Sequence, residues 1–477
     1  MLKVFNTESR KKEKFVPLQE GRVAMYCCGP TVYDVPHLGN YRSFVMSDNM
    51  RRYLEHLGYS VNQVMNITDI DDKTIKRSGE LGVPLKEYTR KYEEVFFDGL
   101  RKLNILPANY YPRATENVEL MLEIVQDLEK KGFAYEREGS VYFDVSAFAG
   151  YGRLSRIDMA MVKAGARVDV DEYAKDNPQD FALLKKSTES EVARGIFFES
   201  KWGKVRPGWH IECSALSMKY LGPTVDIHTG GVDLVFPHHE NEIAQSESYT
   251  GKKFVRFWIH GEHLMVGGEK MSKSLGNYIT LDDVLRDYPG NVVRYMFIST
   301  HYRKILDYTK EFAENAKNNY ERLRNAYESI LFALQTSDDR KTSKDGRALE
   351  DIHRALDGFR DAMDDDLNNP LAVGAFHELA RGVNRYLLGA RNRAVLEAAR
   401  QAFESFAEVL GLQFPRPAAL SPQQAEMIRE REAARASRDW ESADRIRVRL
   451  RDEGVILEDT EWGTKWRTGE QCHGRAP

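Results

Sequence analysis

The segment Val23-Ala24-Met25-Tyr26-Cys27-Cys28 is a short, unbroken apolar run stopped by Gly29-Pro30. A strand with one face in water would alternate polar and apolar residues, so this run predicts a strand buried on both faces. A helical pattern follows, with Phe44, Met50 and Leu54 set among Arg51, Arg52 and Glu55, and it ends near Gly58. Val61 to Ile67 resumes as a strand. Strand, helix, strand is a βαβ unit, whose crossover is right-handed and whose ligands bind beyond the carboxyl ends of the strands. The loops after Cys28 and Ile67 are therefore the first places to look for function.

At 477 residues the chain is long enough for about three domains. Strand signals return at Val225 to Ile227 and Phe254 to Ile259, as if the second half of a doubly wound sheet resumes there. Between the halves lie a helix carrying Leu120, Ile124 and Leu128, a strand at Val141 to Phe143 and an irregular charged stretch, together read as an insertion. Beyond Thr309 four stripes at helical spacing follow, around Leu323, Leu356, Leu379 and Phe403, and they predict an antiparallel bundle. The fold class expected is α/β: a Rossmann-like doubly wound parallel sheet with an insertion, then an antiparallel helical bundle and a small C-terminal α/β module. The boundaries read from the sequence are 1–116 with 202–261 for the sheet domain and 117–201 for the insertion. They continue with 262–308 for a loop-bearing region, 309–414 for the bundle and 423–477 for the last module.

Composition excludes some classes of function. With 42% hydrophobic and 30% charged residues the chain can bury a large core and is not disordered. A net charge of -4 gives no global attraction to phosphate, so a nucleic-acid surface has to be a local patch. Four cysteines, two of them the neighbours Cys27 and Cys28, argue against a disulfide framework. With no signal-peptide pattern and no apolar run near membrane-spanning length, a cytoplasmic location without a membrane partner is expected.

Two segments invite a phosphate-bearing ligand. Pro36-His37-Leu38-Gly39-Asn40 stands at the mouth of the first helix, where backbone N–H groups favour anions and Gly39 permits close approach. His37 and Asn40 there are also ordinary capping residues. Lys270-Met271-Ser272-Lys273-Ser274 follows Gly267-Gly268 and offers two lysines and two hydroxyls to a polyphosphate, or simply a solvated basic loop. Together, in this order, they resemble the two signatures of class I aminoacyl-tRNA synthetases, the first altered to His-Leu-Gly-Asn and the second intact. A Walker-type phosphate loop is absent from the sequence.

Metal-capable residues narrow the reading. His238 and Glu242, four apart, share a helix face, and Cys28 and Cys213 could complete a set of two thiolates, an imidazole and a carboxylate suited to zinc. Cys28 in an apolar strand is equally a buried hydrophobe. The His238-His239-Glu240-Asn241-Glu242 run lacks the second histidine of a metalloprotease motif.

The segments Tyr26 to Asp34, Asn66 to Lys73, Gly208 to Ser214, Pro237 to Ala244 and Lys270 to Asn277 are similar, in order, to the motifs of the cysteinyl-tRNA synthetase family. The resemblance covers nearly the whole chain. It implies one zinc held by Cys28, Cys213, His238 and Glu242, with the thiolate of L-cysteine binding the metal, and Cys27 turned to the other face of the strand. It implies a cysteine pocket formed by Gly29, Thr68, Trp209, His228 and Asp233. It implies ATP, with Mg²⁺, held by His37, Gly39, Asn40 and Lys273, and Lys270 and Lys273 acting with His37 and Asn40 in the chemistry. Residues 262–308 would contact the stem of tRNA(Cys) and 423–477 would read its anticodon. A monomer is expected.

A site that must separate cysteine from serine gains little from apolar contacts, whereas zinc prefers thiolate to hydroxyl, so no editing domain is expected. Leu184 and Val205 stand where Trp and Gly are usual in that family, departures that bear on local loop geometry. The arginines from Arg429 to Arg451 crowd one predicted helical region near Trp440, Trp462 and Trp466, which suits RNA. The interspersed acids equally suit a solvated helix. A rival enzyme, the shortened relatives that join cysteine to an amino-sugar, would lack the terminal module; a non-catalytic tRNA binder would have lost the lysines or the metal ligands.

Overall fold

An N-terminal hairpin of β1 (Lys3–Asn6) and β2 (Lys11–Lys14) precedes the βαβ unit, which is β3 (Arg22–Cys27), α1 (Leu38–His56) and β4 (Ser60–Met65). The computed structural model describes residues 1–157, 179–271, 276–414, 420–460 and 463–468. After β4 the chain forms α2 (Asp72–Glu80), α3 (Leu85–Lys102) and α4 (Val118–Lys130). It then builds a separate antiparallel sheet from β5 (Ala134–Arg137), β6 (Ser140–Phe143), β7 (Phe181–Lys186), β8 (Phe198–Ser200) and β9 (Gly203–Pro207). Its strand order is β5-β6-β7-β9-β8.

Leu184 and Val205, expected to disturb loops, lie instead in β7 and β9 and are fully buried in one apolar cluster with Val141, Phe143 and Leu183. Their sizes are absorbed by core packing, which tolerates a change of volume shared between neighbours better than a loop tolerates a change of backbone geometry.

Between β7 and β8 lies α5 (Glu189–Ala193), and from β9 the chain returns to the first sheet through α6 (Trp209–Leu221), β10 (Val225–Gly231), α7 (Glu240–Thr250) and β11 (Val255–Gly261). The four strands run parallel in the order β11-β10-β3-β4. From β3 the chain turns to β4 on one side, while β10 lies on the other, so the strand order reverses between β3 and β10. Their carboxyl ends diverge there and leave a crevice for a ligand. Cys28 stands at that point, its N–H donating to the Thr229 carbonyl at 3.3 Å.

Residues 262–308 carry β12 (Leu264–Val266), β13 (Glu269–Lys270), α8 (Leu281–Leu285), α9 (Gly290–Ile298) and β14 (Leu306–Tyr308). In α9 Arg294 is wholly buried; it is paired with Asp48 of α1 and donates to the carbonyls of Leu103 at 2.9 Å and Leu410 at 2.7 Å.

The chain divides into two compact units, the second holding residues 318–361, 371–408 and the described residues from 412 onward. Four helices contribute to it: α10 (Lys310–Gln335), α11 (Asp345–Asp364), α12 (Asn369–Leu387) and α13 (Arg393–Leu410). Their apolar stripes meet in aromatic pairs, among them Phe359 with Phe406 and Phe376 with Phe403, with ring centroids 4.0 and 4.4 Å apart. The terminal module is α14 (Pro422–Ala436), α15 (Trp440–Asp452) and a hairpin of β15 (Val455–Thr460) and β16 (Gly463–Thr468).

The arginine-rich region is thus two helices, broken where Arg438 takes φ 62°. Arg431 is not on the surface: it is 1% exposed and bidentate to Asp459 at 2.7 and 2.9 Å. Trp440 is exposed, whereas Trp462 and Cys472 lie outside the described residues. Among the described residues, none of the helices is long and apolar enough to cross a membrane.

Candidate active site

The metal-capable residues converge at the floor of the crevice. Alternation along β3 sends Tyr26 and Cys28 to one face and Cys27 to the other, where the Cys27 thiol lies 3.4 Å from Ser47 Oγ. Cys213 comes from the second turn of α6, and His238 and Glu242 from the turn Val235–His239 and the start of α7. Cys28 Sγ lies 3.8 Å from Cys213 Sγ and 3.8 Å from Glu242 Oε1, and His238 Nε2 lies 3.0 Å from the same Oε1. The four donor atoms are all within 4.8 Å of one another. Cys28, His228, His239 and Glu242 form a second set within the same limit, sharing Cys28 and Glu242 with the first.

Each donor is oriented from behind. His238 Nδ1 faces His210 Nδ1 at 3.0 Å, which leaves Nε2 for the cluster, and the Trp209 ring stacks on His238 at 4.2 Å. Glu242 Oε2 takes His228 Nε2 at 3.0 Å, and His228 in turn stacks on Trp258. His239 links Cys28 Sγ at 3.3 Å to His260 at 2.7 Å, and His260 meets Thr7 Oγ1 at 2.7 Å.

The electrostatics follow from burial and crowding. Burial opposes ionisation of Glu242, but His228 and His238 overcome it and hold the carboxyl at about 2. Burial also opposes protonation of His238, yet Glu242 and Cys213 raise it to about 10. Cys213 comes down to about 6 against its burial, through hydrogen bonding from Cys28 and the His238 charge, while burial and its Cys213 neighbour push Cys28 well up. One thiol is thus ready to ionise beside a second that keeps its proton. Two thiolates, an imidazole and a carboxylate are the donor chemistry of zinc, and the residues of the first set fit that ion.

The other end of the crevice is open, and the whole cleft has a cavity volume of about 320 Å³. His37 and Asn40 cap α1 reciprocally: Asn40 N–H donates to His37 Nδ1 at 3.2 Å and His37 N–H to Asn40 Oδ1 at 3.0 Å. The capping alternative is therefore realised, and it sets both side chains at the N-terminus of a long helix that lines the cleft. The irregular segment following the lysine loop lies against this cap: Leu38 N–H donates to Ile279 O at 2.9 Å, and Tyr278 Oη donates to Val35 O at 2.7 Å. The Tyr278 ring meets His37 edge-on at 5.6 Å. Asn277 Nδ2 closes the base of the loop on the Lys270 carbonyl at 3.2 Å. Lys270 is exposed and lines the cleft, while Ser272, Lys273 and Ser274 lie outside the described residues.

Of the predicted pocket residues, Gly29, Trp209 and Asp233 line the cleft together with His37, Gly39, Asn40 and Lys270. A side chain at Gly29 would put Cβ 1.7 Å from the Asn66 carbonyl oxygen, so only glycine fits there. Thr68 and His228, like Cys213, His238 and Glu242, are buried: they are 1% and 0% exposed and hydrogen-bond Glu212 and Glu242. Sequence reasoning did not single out Tyr278, His210, His239, His260 or Glu212. The histidine doublet was a visible signal, but a tyrosine after a loop and a glutamate inside a helix carry no pattern of their own.

Comparison with known proteins gives three family matches along the chain. Residues 14–318 match the class I tRNA synthetase (C) catalytic domain, 358–415 the DALR domain and 418–467 the cysteinyl-tRNA ligase anticodon binding domain. A "Cysteine--tRNA ligase" of Methanosarcina acetivorans is 53% identical over 472 residues, covering 99% of this chain and 100% of the relative. One from Bacillus cereus is 43% identical over 467 residues, covering 98% and 99%. Among solved structures, methionyl-tRNA synthetase of Mycobacterium tuberculosis in complex with methionyl-adenylate shares the fold at 16% identity. It has a TM-score of 0.60, covering 82% of this chain and 89% of that one. A catalytic-domain match over more than half the residues, and relatives this similar from end to end, establish that the chain belongs to the cysteinyl-tRNA ligase family of class I tRNA synthetases.

Proposed function

We propose that this enzyme activates L-cysteine with ATP to cysteinyl-adenylate and transfers the cysteinyl group to the 3′ end of tRNA(Cys). The observation that carries the reading is the buried set of Cys28, Cys213, His238 and Glu242 at the floor of a cleft whose mouth holds the His37–Asn40 cap and Lys270. Those four residues would hold one zinc ion. When bound, zinc supplies a centre that takes a thiolate in preference to a hydroxyl.

The other tasks fall to the chain. Gly29 lets the amino acid approach the end of β3, and Trp209, stacked on His238, walls the pocket against water. Asp233, exposed in the cleft, offers a carboxylate to the substrate ammonium. The substrate carboxylate attacks the ATP α-phosphorus and pyrophosphate leaves; the terminal ribose hydroxyl of tRNA then attacks the activated carbonyl and AMP leaves. Little covalent chemistry is asked of the protein, so positioning and charge stabilisation dominate. The N-terminus of α1, with Gly39 and the cap residues, receives ATP and its Mg²⁺, and Lys270 and Lys273 neutralise phosphate charge as it develops. Thr68 and His228, both buried, act by holding other groups.

The terminal module, matched over residues 418–467, supports tRNA as acceptor over an amino-sugar. We take the enzyme to be a cytoplasmic monomer. Cysteine-dependent exchange of pyrophosphate into ATP, followed by charging of tRNA(Cys), tests the reading. Exchange with cysteine but not serine, and transfer to tRNA, are expected; exchange without transfer to tRNA, or full activity in metal-free protein, would overturn it.

A further inference from the structure

From Gly29 at the cleft inward runs a chain of three hydrogen bonds, the inner two buried, that the proposed chemistry does not use. Gly29 N–H donates to Asn66 Oδ1 at 2.8 Å, Asn66 Nδ2 donates to Thr68 Oγ1 at 3.1 Å, and the Thr68 hydroxyl donates to Glu212 Oε2 at 2.8 Å. Asn66 and Thr68 are each 1% exposed and Glu212 is 0%. The ends of this relay are informative. Gly29 follows Cys28 and Glu212 precedes Cys213, so its two ends lie beside the two thiols, which are 185 residues apart in the chain.

The amide oxygen of Asn66 is committed to Gly29, so its nitrogen donates onward to Thr68 Oγ1, and the Thr68 hydroxyl makes the last link to Glu212. The backbone reinforces the middle link: Thr68 N–H donates to Pro30 O at 3.1 Å, and Val32 N–H donates to Thr68 O at 3.2 Å. Glu212 Oε1 has no hydrogen-bond partner among the described residues, so Thr68 anchors that buried carboxyl group. A buried polar side chain with a single partner is costly to keep where an apolar residue would pack as well.

We infer that Glu212 is a positioning residue for the metal cage: through Thr68 and Asn66 it fixes the separation of Cys28 and Cys213 before an ion arrives. The inference rests on the reading that these two thiols hold zinc. It assigns Thr68 to the support of the cage, and it favours the donor set containing Cys213 over the overlapping set of Cys28, His228, His239 and Glu242.

The test compares zinc affinity, by chelator competition, in the full-length protein and in Thr68→Val, Thr68→Ser, Glu212→Met and the double variant Thr68→Val with Glu212→Met. The absorption of Co²⁺-loaded protein reports thiolate coordination alongside. Thr68→Val and Glu212→Met are expected to weaken zinc binding about 10- to 100-fold, the cost of losing a partner that orients a ligand. The double variant should be no weaker than the poorer single one, because both break the same chain. Thr68→Ser keeps the hydroxyl and should keep wild-type affinity and the cobalt spectrum. Wild-type affinity in Thr68→Val, or equal loss in Thr68→Ser and Thr68→Val, would overturn the inference. If Glu212→Met does not fold, the two Thr68 variants decide alone. A wild-type protein that binds no zinc would instead refute the metal reading itself.

Discussion

Two clusters of buried charge in the first unit show opposite designs. Around Asp48 every group is satisfied within the fold: Arg52 Nε at 2.7 Å and Arg294 both donate to Oδ2, the Leu106 N–H donates to Oδ1, and spare guanidinium N–H groups end on backbone carbonyls. Around Glu242 the neighbours are thiols and imidazoles, and the donor atoms crowd one another within 4.8 Å. A buried pair that satisfies itself has nothing left for a ligand and works as a structural clamp. In the second cluster close contact shifts the ionisation of Cys213, His238 and Glu242 against their burial, and such jointly perturbed groups are what mark it as a site.

The comparison can be broken from either side. The largest effect is expected from Cys213→Ser, which removes a thiolate from the cage. It should abolish stoichiometric zinc by metal analysis and lower cysteine-dependent pyrophosphate exchange by more than the roughly 100-fold upper cost of losing an orienting partner. Asp48→Asn should do the reverse. Stranding Arg294 costs about 3–5 kcal/mol of stability in denaturant unfolding, with zinc content unchanged in the folded fraction. If zinc were lost with it, the two clusters would not be separable as site and clamp.

Smaller effects sharpen the contrast. Tyr278→Phe removes the hydrogen bond to Val35 that backs the His37 cap, worth about 1 kcal/mol, so the KM for ATP should rise several-fold while the KM for cysteine stays fixed. An equal rise in both would assign Tyr278 to the whole cleft. The smallest change concerns a second matched pair, in the terminal module. The bidentate hydrogen bonds from Arg431 hold the Asp459 carboxyl below the usual carboxylate range. A depressed folded value contributes stability that is present above the ordinary value near 3.9 and lost as pH falls through the lower folded one. Thermal melts followed by Trp440 fluorescence should therefore drop in midpoint on acidification below about pH 4, and Asp459→Asn should flatten that drop.

Much of this was legible in the chain. Val23 to Cys28 announced a doubly buried strand because nothing in it could face water, and the structure places it inside a parallel sheet. The stripes around Leu323, Leu356, Leu379 and Phe403 announced helices because their period matches 3.6 residues. Cys28, Cys213, His238 and Glu242 could be named because their residue types are chemically narrow. What escaped had no period and no rare chemistry. The break at Arg438, the burial of Arg431 and the strand positions of Leu184 and Val205 are each set by what packs against them.

The sequence by itself determined the succession of elements, the inventory of donors and the two motif segments, since these depend on residue type and local spacing. Tertiary structure alone decided which donors meet, that Thr68 and His228 are buried, and that Glu212 reaches Thr68 at 2.8 Å. Side chains from residues 28, 66, 68, 212, 238 and 242 are brought together by a strand reversal and two helix starts. Local spacing can encode a helix face or a strand face, but contacts across such chain distances exist only once the sheet has formed and its strand ends have been fixed.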